Sequence, residues 1–274
     1  MIKARAVSGY RPKICRKAQQ GILKMTVEII KGSKRISYAA RRLCELELPY
    51  KKIMLLPIPS TKDGVNVNGT EITLDYLLRG INSEWAVAGY GLPAAFCERV
   101  SALGGVVYDA LYDEEFQLKN AELTALGTLG ELISEKGREP SAVRFGVIGY
   151  GRIGAALVKY LSFLGAKPIV FSSREAVRLS LGEWGVESYP DGNIENLRSV
   201  DVLINTAPKC ITDIAGADML KASGVSIFDL ASGENFGGAD CVVRLPGVPD
   251  RVFPESAGEA YADAICRFLM SVKA

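Results

Sequence analysis

Histidine is absent from the 274 residues. That excludes a Ser-His or Cys-His nucleophile, a histidine general base and any histidine-ligated metal, and no metal is expected. Any proton transfer falls to Asp, Glu, Lys, Tyr, Cys or water. Paired cysteines are lacking too: Cys15, Cys44, Cys97, Cys210, Cys241 and Cys266 form no CxxC motif. With no signal peptide in view, they are expected to be reduced thiols of a cytoplasmic protein. No apolar run reaches the roughly 18 residues of a membrane span. Charge of one sign is also missing. Lys plus Arg is 33 against 31 acids, which gives no reason to expect nucleic acid or a membrane surface as a partner.

What is present is apolar material for two cores. Hydrophobic residues make up 48% of the chain, and the length suits two domains of roughly 130 residues each. The second half alternates short apolar runs with amphipathic segments, which predicts a doubly wound, mostly parallel sheet. Its strands are read at "AVRFGVIGY" (142–150), "KPIVFS", "VESYP", "SVDVLINTAP", "VSIFDLAS" and "CVVRLPG". The first half repeats the rhythm less cleanly. A strand is expected at 3–9, a helix at 12–23, strands at 26–32 and 51–59, and a helix at 36–46. A strand, helix and strand follow through "EWAVAGYG", "PAAFCERVSALG" and "GVVYDA". The fold class is therefore α/β: two Rossmann-like or flavodoxin-like domains with parallel sheets. Domain 1–113 would be flavodoxin-like and substrate-side, a long helix over 114–137 would link it to a nucleotide-binding domain at 138–254, and a last helix, 255–272, would return to the first domain. A cleft between hinged domains is the expected substrate site.

Gly149, Gly151 and Gly154 give G-x-G-x-x-G between an apolar strand and an amphipathic helix, the context that makes this pattern informative. The first glycine permits the tight turn, the second lets backbone approach a pyrophosphate, and the third lets helix and strand pack closely. Arg152 and Ile153 lie within the turn, and the helix N-terminus offers free N–H groups to phosphate. The next strand decides between cofactors. A carboxylate at its end would hold the ribose of NAD. Here stand Ser172, Ser173 and Arg174: two hydroxyls and a planar cation suited to a 2′-phosphate. NADP is expected over NAD, the alternative being that Arg174 is only a solvated helix-start residue. Asn205, Thr206 and Pro208 end the strand across the switch point and would border the nicotinamide ribose. Asp229 suits a structural hydrogen-bonding role at least as well as a catalytic one.

Four further stretches carry a resemblance. "LPIPSTKDGVNV" (56–67), "INTAP", "IFDLASG" (227–233) and "LPGVPDRVFPESAG" (245–258), with the glycine motif, resemble the A subunit of bacterial dipicolinate synthase. In build this is similar to D-2-hydroxyacid dehydrogenases. The resemblance implies a cytoplasmic NADP-linked oxidoreductase that pairs with a second, flavoprotein-like B subunit. Together they would convert dihydrodipicolinate, or its hydroxylated precursor from the lysine pathway, into the dicarboxylate that accumulates in spores. It places substrate at Pro59, Ser60, Thr61, Lys62 and Asp63, and at Gly247 and Pro249. Two candidate clusters would meet the two carboxylates: Lys62 with Ser60 and Thr61, and Arg251. Lys62, Asp63 or a bound water would take the proton. The chain departs from the family at Leu123–Gly127, where an acid is missing, and at Glu255, where the family has a cation. Two other readings stay open: another NAD(P)-dependent oxidoreductase of small carboxylates, and a non-catalytic nucleotide-binding partner protein. A homo-oligomer, a dimer through the cofactor domain, is expected by analogy with related builds.

Overall fold

The computed structural model describes residues 13–19 and 22–272. In chain order these form β1 (Lys13–Gln19), β2 (Ile22–Ile29), α1 (Lys34–Glu45), β3 (Lys52–Leu55), α2 (Leu74–Leu77), β4 (Trp85–Gly89), α3 (Ala94–Ala102), β5 (Val106–Asp109) and α4 (Glu114–Lys136). Then come β6 (Phe145–Ile148), α5 (Arg152–Phe163), β7 (Ile169–Phe171), α6 (Glu175–Glu183), β8 (Ser188–Tyr189), α7 (Ile194–Leu197) and β9 (Val202–Asn205). The chain closes with α8 (Ile214–Ala222), β10 (Ser226–Asp229), β11 (Val242–Arg244), α9 (Val248–Val252) and α10 (Pro254–Val272). It splits into two compact units, Met1–Gln117 with Phe253–Ala274, and Leu118–Val252. The division falls inside α4, one turn after its start. No helix among the described residues is long and apolar enough to cross a membrane.

The first unit is built on a sheet ordered β1-β2-β3-β4-β5. Strands β2 to β5 are parallel. The period-2 alternation of β3 shows how one sheet serves two cores. Ile53 and Leu55 join α1 and α10 on one face, where Ile36, Leu43, Tyr261 and Ile265 are buried. Met54 and the following Leu56 join α2 and α3 on the other, with Leu74, Phe96 and Val100. Helix α10 lies directly on α1: a Cβ at Gly258 would stand 2.6 Å from the Arg35 carbonyl oxygen, so this close approach needs glycine.

The α/β class holds, with two corrections in the first sheet. Residues 13–19 form a strand, not the start of a helix over 12–23, and β1 runs antiparallel to β2, pairing Lys13 with Ile29 and Gln19 with Ile22. Ile14, Cys15 and Ala18 fit either period over so short a segment, and pairing with the edge of β2 makes the segment a strand. The strand order is also sequential, where a flavodoxin-like domain runs 2-1-3-4-5. The strand expected at 3–9 lies outside the described residues.

The second unit holds a fully parallel sheet, β11-β10-β9-β6-β7-β8. Counted from β6, that is the order 3-2-1-4-5-6 of two mononucleotide-binding halves, with the switch point between β6 and β9. Val147 and Ile204 face a core filled by Leu129 and Leu132 of α4 and by Leu157 and Leu161 of α5. Ile148 and Leu203 face the opposite core, with Leu197 of α7 and Ala217 and Leu220 of α8. Burial on both faces explains why these strands read as continuous apolar runs.

Candidate functional site

The carboxyl ends of β6 and β9 meet at the glycine turn of the second unit. Gly149 leaves β6 with φ of 87°, a left-handed conformation that favours glycine. A Cβ there would lie 2.8 Å from Thr206 Oγ1 and 3.2 Å from Ala207 Cβ. A Cβ on Gly154 would come within 2.2 Å of the Gly149 carbonyl oxygen, so α5 sits against the turn as closely as backbone allows. Gly151 differs. Its Cβ would meet nothing within 4 Å, and it begins α5 with no side-chain capping bond. Two glycines are thus fixed by the protein's own packing, while the third faces open space at the positive end of a 12-residue helix. This cradle fits the pyrophosphate of a dinucleotide. Arg152 is exposed at the first helical position, whereas the Ile153 side chain is half-buried against the core of the unit. Ile153 offers the cradle only its backbone.

The end of β7 lies beside this turn. Ser172 is buried, its Oγ accepting from Arg174 N at 3.3 Å and its carbonyl from Arg178 Nη1 at 2.7 Å. Ser173 and Arg174 are exposed. Arg174 Nη2 donates to the Tyr150 carbonyl at 2.9 Å, so the guanidinium is held across the glycine turn with most of its five N–H groups uncommitted to that bond. Sequence reasoning did not single out Arg178. Its position four residues after Arg174, on the same helical face, was the available signal.

Across the switch point, Thr206 Oγ1 donates to the Ile148 carbonyl at 2.9 Å and ties the β9 turn to the glycine turn. Asn205 is fully buried. Its Nδ2 donates to Asp229 Oδ1 at 2.8 Å and to the Ala207 carbonyl at 3.1 Å, and its Oδ1 accepts from Ala207 N at 3.0 Å. The side chain that sequence reasoning places against the nicotinamide ribose therefore shapes the 205–207 turn from beneath. Asp229 is a hub: besides Asn205 it accepts from Ala231 N at 3.1 Å and from Asn235 Nδ2 at 3.3 and 3.0 Å. Asn235, 3% exposed, escapes sequence reasoning because it comes from the loop after β10. Pro208 is exposed at the rim.

The substrate-side candidates fall in two places, each described within its own unit. In the first unit, Ser60 is fully buried. Its Oγ donates to the Pro57 carbonyl at 3.0 Å and accepts from Tyr90 N at 2.8 Å, which makes it a brace between two loops rather than a surface donor. Asp63 Oδ2 accepts from Asn66 Nδ2 at 2.7 Å. Its Oδ1 accepts from Asn66 N at 2.8 Å, Val65 N at 2.9 Å and Thr61 Oγ1 at 3.1 Å. These donors, the Asn66 amide foremost, hold its carboxyl far below the usual carboxylate range. A carboxylate so well satisfied is a poor proton acceptor, so Asp63 is the clasp of the loop, not the base the sequence suggested. Thr61 is half-buried and also accepts from Gly64 N at 2.9 Å. Lys62 is exposed.

In the second unit, Gly247 has φ of 60° and Pro249 is buried at the start of α9. Arg251 makes a two-pronged ion pair with Glu131 of α4, one prong 3.1 Å long. A substrate carboxylate would have to compete with Glu131 for it. Among the described residues no group of three or more His, Cys, Asp or Glu could hold a metal ion.

Strand order, glycine turn and open helix N-terminus together define a two-unit α/β protein whose second unit has a Rossmann-like fold. No family model matches the chain. It is similar to the A subunit of dipicolinate synthase from Bacillus subtilis (strain 168), 26% identical over 246 residues that cover 83% of this chain and 82% of that protein. The solved structure of the same synthase component from Bacillus halodurans superposes with a TM-score of 0.64, 24% identity and 79% of each chain covered. A transhydrogenase from Sinorhizobium meliloti covers 94% of this chain and 93% of its own at a TM-score of 0.59, with 15% identity. The resemblance read from the four motifs is thus found again across most of the chain.

Proposed function

We propose that this chain binds NADP at the β6–α5 turn and serves in the oxidation of a small dicarboxylate. By its likeness to the A subunit of dipicolinate synthase, that substrate is dihydrodipicolinate or its hydroxylated precursor. The observation that carries the reading is the pairing of the open Gly151 cradle with Arg174, whose guanidinium is held at the Tyr150 carbonyl 2.9 Å away. The α5 amides would receive the pyrophosphate. Arg174 and the exposed Ser173 would receive the 2′-phosphate, where a carboxylate would repel it. The bound nicotinamide supplies a hydride acceptor.

Of the chain's own groups, Thr206 and Pro208 would border the nicotinamide ribose. Lys62 with Thr61 in the first unit, and Arg251 in the second once released from Glu131, are each candidates to meet a substrate carboxylate. The proton lost with the hydride would go to water, since Asp63 is committed and Lys62 serves as a cation, and aromatisation of the ring lowers the demand for a strong base. The relative is one component of a synthase, which fits a second, different chain as partner here, and a homo-oligomer through the second unit is compatible with it. The test is NADPH formation from dihydrodipicolinate, with the chain alone and together with the B subunit of a dipicolinate synthase. Turnover with NADP in either setting supports the reading. Tight NADP binding without turnover in both would refute the substrate and leave the cofactor.

A further inference from the structure

The nicotinamide half of such a fold lies over β9, β10 and β11, the second mononucleotide-binding half. There the chain buries a carboxylate. Asp229 is 3% exposed at the end of β10, and no Lys or Arg among the described residues forms an ion pair with it. Its side chain takes part in four hydrogen bonds and is the acceptor in each, from Asn205 Nδ2, Ala231 N and, at both oxygens, Asn235 Nδ2. A protonated acid would need an acceptor of its own, and the cluster offers none in those bonds, so the donor set is that of an anion. Burying such a charge is costly, and no basic side chain among the described residues offsets it here.

Oxidised nicotinamide carries one more positive charge than the reduced ring. We propose that Asp229 is a fixed buried anion of the nicotinamide half and tunes the bound cofactor towards its oxidised form. It acts through space, while Asn205 and Asn235 hold it in place and set the 205–207 and 229–235 turns. Asp229 is then a tuning and positioning residue. The inference rests on the NADP reading above and adds to it a preference between redox states.

The experiment compares dissociation constants of NADP and NADPH for the full-length wild-type chain, Asp229→Asn and the exchange Asp229→Asn with Asn235→Asp. The exchange keeps one carboxylate and one amide of the same size in the cluster. About tenfold is the effect expected of two unit charges about 12 Å apart at an effective dielectric of about 20. The wild type should bind NADP about tenfold more tightly than NADPH, relative to Asp229→Asn, and the bound couple of that variant should rise by about 30 mV. The exchange should restore most of the preference. Equal weakening of both forms in Asp229→Asn, or an exchange that restores binding but no preference, would overturn it. Should Asp229→Asn not fold, Asp229→Ser takes its place, and equal weakening of both forms in it overturns the proposal. Binding of neither form by the wild type would instead sink the NADP reading itself.

Discussion

Arg174→Asp is the most informative single change in the cofactor site. The guanidinium makes one hydrogen bond, to the Tyr150 carbonyl at 2.9 Å, and its side chain is otherwise exposed at the start of α6. Its loss should therefore shift stability by no more than about 0.5 kcal/mol. A charge-assisted hydrogen bond to phosphate is worth about 1.5–3 kcal/mol, which is roughly ten- to hundredfold in affinity. Asp adds repulsion of the 2′-phosphate and offers the NAD ribose the carboxylate that β7 lacks. NADP affinity should fall at least about thirtyfold, NAD affinity should hold or rise, and the melting temperature without cofactor should stay put. Calorimetric titration with both nucleotides, with a thermal melt as control, measures all three. If NADP and NAD bind equally before and after the change, Arg174 is only the start of a helix.

The three glycines separate packing from binding. Gly151→Val should leave the melting temperature near the wild-type value, because the added atoms enter open space, and abolish nucleotide binding. Gly154→Ala should lose about 1–3 kcal/mol of stability through its clash with the Gly149 carbonyl, seen as a lower denaturation midpoint. Ser60→Ala should cost about 1–3 kcal/mol by orphaning the Tyr90 N–H, in the same denaturation assay. For Asp63 the folded carboxyl titrates below its ordinary value of 3.8. Its stabilisation is fully present above that value and is lost as pH falls through the folded one. The melting-temperature gap between wild type and Asp63→Asn should therefore stay constant from neutral pH to about 5 and narrow only in stronger acid. A gap that changed near neutral pH would show the carboxyl to be far less firmly held.

The second unit was legible because its signals are local and redundant. Apolar runs, turn glycines and an amphipathic α5 agree with one another, and parallel strands buried on both faces leave little ambiguity of period. The first sheet was harder at its edge. Ile14, Cys15 and Ala18 carry no decisive period, and pairing with β2, a nonlocal fact, makes them a strand. Side-chain roles at the site were legible only where backbone conformation dictates them. The sequence shows that Gly149 and Gly154 make a turn. It does not show that Asp63 spends its oxygens on Asn66, Val65 and Thr61, or that Asn205 points into a cluster with Asp229 and Asn235. Those facts depend on loop paths that no short-range pattern encodes.

On the proposed reading, the open glycine cradle and Arg174 form an NADP site. Titrating the purified wild-type chain with NADP and, separately, NAD tests it most directly. One nucleotide should bind per chain, NADP at least about tenfold tighter than NAD, as expected for one charge-assisted contact to the 2′-phosphate. No heat and no thermal shift with either nucleotide, or a clear preference for NAD, would contradict it.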